Sequence, residues 1–405
     1  MSIIELLPPM LSGDKLNEAL GVFPSYDETI RFKTATERLI ALQDIYNLYV
    51  PSSMGREIYT KLYLSLIRSL QKKQTIIAIR QASENSRRIR QQGFESIIGG
   101  ADSFTIIGSS GIGKTSAISR ASSIILETPI LEVEDTKILT CLNVQCPADT
   151  SVKGLLLEIL RKADEILESR YYSEALRAKS TIDVLIGTVS QVALNHLGLI
   201  VIDEIQNVVT SKNGKTIIGT LTQLINNSGV SIVMVGTPSC EEFFTSEMVL
   251  ARRSVGLSYS EMCYGEEYIG FIKFLLKYNY TQTPVEMSEA IFMWLYSHTG
   301  GNRALTVQLV HDSQEIAIMS GSERLDIASL NQAFEQRMTL LHDYIKPDSQ
   351  KYTPSKKNVK KFVEVDTNAD LPQKIADVSL SAKRINVDVV SALKEYGIQV
   401  IEVSI

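Results

Sequence analysis

The run Gly108-Ser109-Ser110-Gly111-Ile112-Gly113-Lys114-Thr115 has the spacing G-x-x-x-x-G-K-[ST]. It directly follows the apolar stretch Phe104 to Ile107 and opens a segment of helical pattern. Glycines at these positions let successive backbone N–H groups turn inward around phosphate oxygens, and the helix start adds the positive end of its dipole. Lys114 brings a point charge for β- and γ-phosphates, the Thr115 hydroxyl is a magnesium ligand, and Ser116 completes the cradle. A nucleotide with Mg2+ is the cofactor this pattern predicts. Leu199 to Ile202 is an apolar strand ending in Asp203-Glu204, about ninety residues beyond the phosphate loop. A buried strand that delivers Asp203 to the same edge places it to hold magnesium, and Glu204 to orient and polarise an attacking water.

Three further polar groups follow. Ser231 to Val235 is strand-like and ends in Gly236-Thr237-Pro238-Ser239, so Thr237 either hydrogen-bonds the γ-phosphate or lytic water, or caps a turn. Ala251-Arg252-Arg253-Ser254 closes a helical stretch, where one guanidinium serves either as a finger into a neighbour's site or as a solvated helix end. Gly300-Gly301-Asn302-Arg303 starts another helix and either turns Arg303 toward the nucleotide or is a capping turn.

Positioning these groups requires parallel strands joined by helical crossovers. Phe104 to Ile107, Ile138 to Val144, Leu197 to Ile202 and Ile232 to Val235 read as strands. They alternate with helical segments such as Leu155 to Ile166 and Thr216 to Ile225, which implies an α/β sheet covered on both faces. The chain then divides into an irregular arm and helical N-terminal region over 1–100 and an α/β nucleotide-binding domain over 101–265. A small helical domain over 266–345 and a basic linker with a C-terminal tail over 346–405 follow.

Composition narrows the classes. The 405 residues carry 41 Lys+Arg against 46 Asp+Glu, a net charge of −5, so nucleic-acid contact is confined to a local patch. With 44% hydrophobic and 21% charged residues the chain reads as globular, not disordered. Four cysteines without CxxC spacing make neither a disulfide framework nor a zinc site. With no long uncharged apolar run and no signal-like start, the expectation is a cytoplasmic protein with no membrane contact.

Taken in order, these elements resemble an AAA+ ATPase, with P-loop, acidic strand end, sensor, arginine and lid. The segments Gly236-Thr237-Pro238, Ala251-Arg252-Arg253 and Gly301-Asn302-Arg303-Ala304-Leu305 look most like the TnsC/TniB family of DNA-transposition regulators, over residues 30–340. The resemblance implies ATP and Mg2+ as cofactors, Glu204 as catalytic base and Thr237 as first sensor. It also implies Arg252 or Arg253 acting in trans and Arg303 as second sensor. As activity it implies ATP-dependent assembly of a homo-oligomer, a ring or helical filament, on duplex DNA, linking a target-selector protein to transposase subunits. In that family the inner surface follows the second strand, here Asp149 to Gly154. Lys153 is the expected phosphate contact there, against the plainer reading of a solvent-facing Lys. Arg80, Arg87, Arg88 and Arg90 form a second basic group, which either touches DNA or a neighbouring subunit or, with Glu84 on the same stretch, is a solvated helix face. The competing function is a STAND-like, nucleotide-gated signalling scaffold, and the tail after Ile345 is expected to dock a partner.

Overall fold

The computed structural model describes residues 3–86, 103–133, 136–146, 151–209, 214–240 and 256–339, with the backbone alone at 75–86, 208–209 and 214–218. Arg252 and Arg253, Asp149 and Thr150, Arg87, Arg88 and Arg90, the Arg80 side chain and the basic linker with its tail lie outside these residues.

Six strands make one sheet. They are β1 (Phe104–Gly108), β2 (Ile130–Val133), β3 (Thr136–Gln145), β4 (Leu197–Asp203), β5 (Ser231–Gly236) and β6 (Leu257–Tyr259), in spatial order β2-β3-β4-β5-β1-β6. Every neighbouring pair is parallel except β2 with β3. The four strands expected from the sequence are the long inner ones. The two unexpected ones, β2 and β6, are sheet edges of 4 and 3 residues, too short for a periodic signal.

Both faces of the sheet are covered, which is why β1, β4 and β5 are buried along nearly their whole length instead of alternating. Helices α1 (Gly13–Leu20), α2 (Ala35–Leu42), α3 (Ser53–Ser86) and α4 (Lys114–Ile125) precede β2. After β3 come α5 (Val152–Leu167), α6 (Tyr171–Arg177) and α7 (Ile182–His196), and after β4 come α8 (Gln206–Val209) and α9 (Gly214–Ser228). Leu199 and Val201 of β4 face α3 and α4, while Ile200 and Ile202 face the cluster built by α5, α7 and α9. On α3 the stripe Met54, Ile58, Leu62, Leu66 and Leu70 recurs at four-residue spacing and is buried against the sheet. Gly198 permits that approach, since a Cβ there would stand 2.7 Å from Leu66 Cδ1 and 2.7 Å from the Thr140 carbonyl.

Where the sequence predicts a small helical domain, the lid consists of α10 (Glu266–Lys277), α11 (Glu289–Thr299), α12 (Arg303–Ser320) and α13 (Ile327–Arg337). Gly300 and Gly321 end α11 and α12 in the left-handed conformation, and Asp326 with Ser329 forms a capping box on α13.

Among the described residues the N-terminal region contributes to two cores: Ile3, Leu7, Leu16, Leu20 and the α3 stripe join the sheet's core, whereas Leu42 and Ile45, with Tyr26 and Ile30, join the lid's. The expected irregular arm contains α1, whose last carbonyls Ala19 O and Leu20 O are capped by Arg120 at 2.9 Å each. Residues 22–50 thus strap the lid. Arg31 donates to Thr281 O and Gln282 O, and the buried Arg38 pairs in bidentate fashion with Glu323 at 2.5 and 2.6 Å. Burial of the few apolar residues of the arm, and not its irregular turns, decides its path. Among the described residues no helix is long and apolar enough to cross a membrane.

Candidate functional site

Parallel pairing brings the carboxyl ends of four strands to one edge. Ile107 of β1 is in register with Gly236 of β5, Ile202 of β4 with Met234, and Gln145 of β3 with Asp203. The chain leaves β1 through α4 toward β2 and β3, on the far side of β4 and β5, so the loop after β1 stands at the point where the connections diverge. In open α/β sheets this crevice is where ligands bind.

A cleft of about 630 Å3 opens there, lined by Ser110, Gly111, Gly113, Lys114, Thr115, Ser116, Asp203, Glu204, Gln206, Gly236, Thr237 and Ala304. Gly111 and Gly113 hold φ of +80° and +98°, the left-handed region that a side chain resists. Lys114 opens α4 and folds back, its Nζ donating to Gly108 O at 2.6 Å and Ser109 O at 2.8 Å. Burial lowers its pKa, and the carboxylates of Asp203 and Glu204 oppose that shift. The ammonium is therefore incompletely compensated in the cleft, which suits it to an arriving anion.

Thr115 Oγ1 donates to Asp203 Oδ2 at 2.8 Å, joining two hard oxygen donors from elements 88 residues apart. Glu204 sits at φ +59°, a left-handed conformation that costs a non-glycine residue about 1–2 kcal/mol. Its backbone N–H donates to Asp203 Oδ1 at 2.8 Å, and its carboxylate accepts a hydrogen bond from Gln206 Nε2. Such strain at the end of a buried strand is a recognised mark of a functional position. Thr237 lines the cleft while its hydroxyl pairs with Ser239 Oγ at 2.8 Å and its carbonyl accepts from Cys240 N, so the capping bond and the cleft-facing position coexist.

The structure thus brings together Gly111, Gly113, Lys114, Thr115, Ser116, Asp203, Glu204 and Thr237. Arg303 is not among the residues lining this cleft. Its guanidinium lies 5.3 Å from the Phe271 ring centroid, with Nε 3.2 Å from Met262 Sδ and Nη1 3.4 Å from Val50 O. Burial lowers its pKa, with Tyr49 and Glu267 opposing. Arg303 borders a second cleft of about 990 Å3 together with Met54, Ile112, Tyr259, Met262 and Gly301. Lys153 is the second residue of α5 and half-buried, and Ser151 caps the helix by accepting from Gly154 N at 3.0 Å. Further along, Arg161 is engaged by Glu158 and Glu165, and Lys162 lies 3.7 Å from Glu165, so these cations are neutralised on their own helix.

Sequence reasoning missed Gln206, Asn302 and the second cleft. Gln206 carried a local signal, standing two residues after Glu204. Asn302 Nδ2 donates to Ser110 O at 2.8 Å across 192 residues of chain, and nothing in local spacing announces that contact.

A family model described as an AAA domain matches residues 97–244, under half of the 405 residues. A comparison with curated proteins found no match. Among solved structures, the ORC2 protein of Aeropyrum pernix in its ADPNP-ADP complexes aligns with a TM-score of 0.42 and 13% identity. That alignment covers 58% of this chain and 62% of that one, so the chain spans less than two thirds of the archaeal protein's length. Drosophila ORC bound to DNA aligns with a TM-score of 0.48 and 10% identity, over 99% of this chain and 86% of that one. Domain III of the Thermotoga maritima replication initiation protein DnaA gives a TM-score of 0.36 and 13% identity, over 66% and 91%. The matched domain, the sheet order and the loop with its acidic strand end are those of a P-loop ATPase of AAA+ type.

Proposed function

We propose that this ATPase is an assembly switch of the TnsC/TniB kind. In this reading it forms a homo-oligomer on duplex DNA when ATP is bound, and couples a target-selector protein to transposase subunits. The observation that carries the nucleotide part is the Thr115–Asp203 contact of 2.8 Å beside Lys114 and the strained Glu204. A hydroxyl and a carboxylate oxygen at that separation fit Mg2+, a hard cation that takes oxygen ligands. Bound there, Mg2+ would neutralise charge on the phosphates. The chain's own groups do the rest. The loop amides and Lys114 bind phosphate oxygens, and Glu204, oriented by Gln206, polarises the attacking water, with Thr237 beside it. The second cleft, with Met54, Ile112, Tyr259 and Met262 on its walls, suits a flat base. Arg303 then belongs to the base and ribose side and not to a γ-phosphate sensor.

The DNA and transposition part rests on the Gly236-Thr237-Pro238, Ala251-Arg252-Arg253 and Gly301 to Leu305 segments, with Lys153 as phosphate contact and Arg252 or Arg253 as the group acting in trans. The test compares wild type, Lys114→Ala and Glu204→Gln for ATP binding, hydrolysis and ATP-dependent duplex-DNA binding, with electron microscopy of the products. Lys114→Ala should lose binding and assembly together, and Glu204→Gln should bind ATP, hydrolyse it 10²–10⁴-fold more slowly and persist on DNA. ATP binding without any ATP-dependent DNA complex in wild type would leave the ATPase and sink the assembly role.

A further inference from the structure

Four successive carbonyls of the phosphate loop are held, from two directions. Gly108 O and Ser109 O accept from Lys114 Nζ, and the next two accept from the lid. Asn302 Nδ2 donates to Ser110 O at 2.8 Å, and the backbone N–H of Ala304 donates to Gly111 O at 3.0 Å. Ala304 sits in the first turn of α12, where N–H groups have no partner within the helix. Asn302 is the N-cap of that helix, its Oδ1 accepting from Leu305 N at 3.3 Å, and it is only 8% exposed. The approach is close enough to need a glycine opposite: a Cβ on Gly111 would lie 2.6 Å from Asn302 Oδ1. The lid turn is itself pinned from behind, because Met262 N donates to Gly301 O at 3.2 Å.

Resting on the nucleotide reading above, we propose that Asn302 is a positioning residue through which the lid sets the phosphate loop for ATP. In a planar trans peptide the C=O and the following N–H point in opposite directions. With Ser110 O and Gly111 O drawn toward the lid, the N–H groups of Gly111 and Ile112 are turned away from it, to the side where phosphate oxygens are received. Any shift of Lys114 toward a phosphate would loosen its hold on its two carbonyls. The lid's bonds have no such conflict and keep the loop in shape. Lid position and ATP affinity are then coupled, and coupling of binding free energies is reciprocal.

Asn302→Ser and Asn302→Asp both keep an oxygen that caps α12, so a purely structural cap survives in each. Serine is too short to carry a donor to Ser110 O, and aspartate sets a carboxylate oxygen against that carbonyl. Calorimetric ATP titration should show about fivefold to tenfold weaker binding for Asn302→Ser, the loss of one hydrogen bond, and a larger loss for Asn302→Asp. KM should rise by more than kcat falls, while Asn302→Ser, which keeps the cap and buries no charge, melts within a few degrees of wild type without nucleotide. Hydrogen exchange of the free protein, in which the Gly111 and Ile112 amides exchange faster in both variants, reads the loop without any ligand. Lys114→Ala separates the two readings. If wild type binds ATP, Lys114→Ala does not, and both Asn302 variants bind as wild type does, the clamp is refuted and the nucleotide site stands. If wild type binds no ATP, or Lys114→Ala binds it equally well, both fall.

Discussion

Replacing Glu323 by glutamine tests how the N-terminal strap holds the lid. Arg38 is among the largest fully buried side chains, and its Nη1 and Nη2 reach Glu323 at 2.5 and 2.6 Å, with Nη1 also donating to Tyr280 O at 3.1 Å. The glutamine amide would turn a donor toward one of these nitrogens and remove the counter-charge from a buried guanidinium. Breaking a buried pair in this way costs about 3–5 kcal/mol, and the lower end applies because the Glu323 side chain is 19% exposed. At about 1.4 kcal/mol per tenfold, an expected loss of about 3 kcal/mol raises the lid's unfolding constant by roughly two orders of magnitude. Trp294, the only tryptophan in the sequence, lies in α11, so urea unfolding followed by its emission reads the lid directly.

The pH dependence has a definite sign. Hydrogen bonding from Arg38 holds the Glu323 carboxyl below its ordinary value of 4.5. A depressed carboxylate contributes stability that is fully present above about pH 4.5 and is lost as pH falls through its lower folded value. The gap between wild type and Glu323→Gln should therefore close in that acid window and stay constant above it. A difference within about 0.5 kcal/mol at neutral pH, the range of ordinary surface changes, would refute the reasoning. So would a gap that does not narrow in acid. Pairing Arg38→Met with Glu323→Leu should recover much of the loss, since no charge is then left buried.

Two other outcomes are expected. Gly198→Ala should destabilise by about 1–3 kcal/mol in chemical denaturation, because the added Cβ meets the Thr140 carbonyl at 2.7 Å; shortening Leu66 in the same protein would relieve only the side-chain part, and a neutral Gly198→Ala would show that α3 can lift off the sheet freely. If Lys153 touches a DNA phosphate, Lys153→Ala should weaken binding to all duplex sequences alike and lower the salt slope by about one per lost contact, whereas an unchanged slope assigns the side chain to solvent.

The nucleotide chemistry was legible because it is local. A phosphate loop needs glycines at fixed offsets and a Lys-Thr pair at the start of a helix, all within Gly108 to Thr115, and an apolar strand ending in Asp203-Glu204 needs only its own run of residues. Strand and helix periodicity likewise belong to single segments, which is why the long inner strands and the lid helices were readable, and why β2 and β6, at 4 and 3 residues, were not. Where chains meet, the sequence is silent. That the N-terminal segments divide between two cores, that Arg38 finds Glu323, that Arg303 lies against Phe271 and that Asn302 seizes Ser110 O all depend on contacts between residues far apart in the chain. Such contacts are decided by which apolar faces are buried together, and any polar group caught in that burial must take the partner the packing leaves within reach.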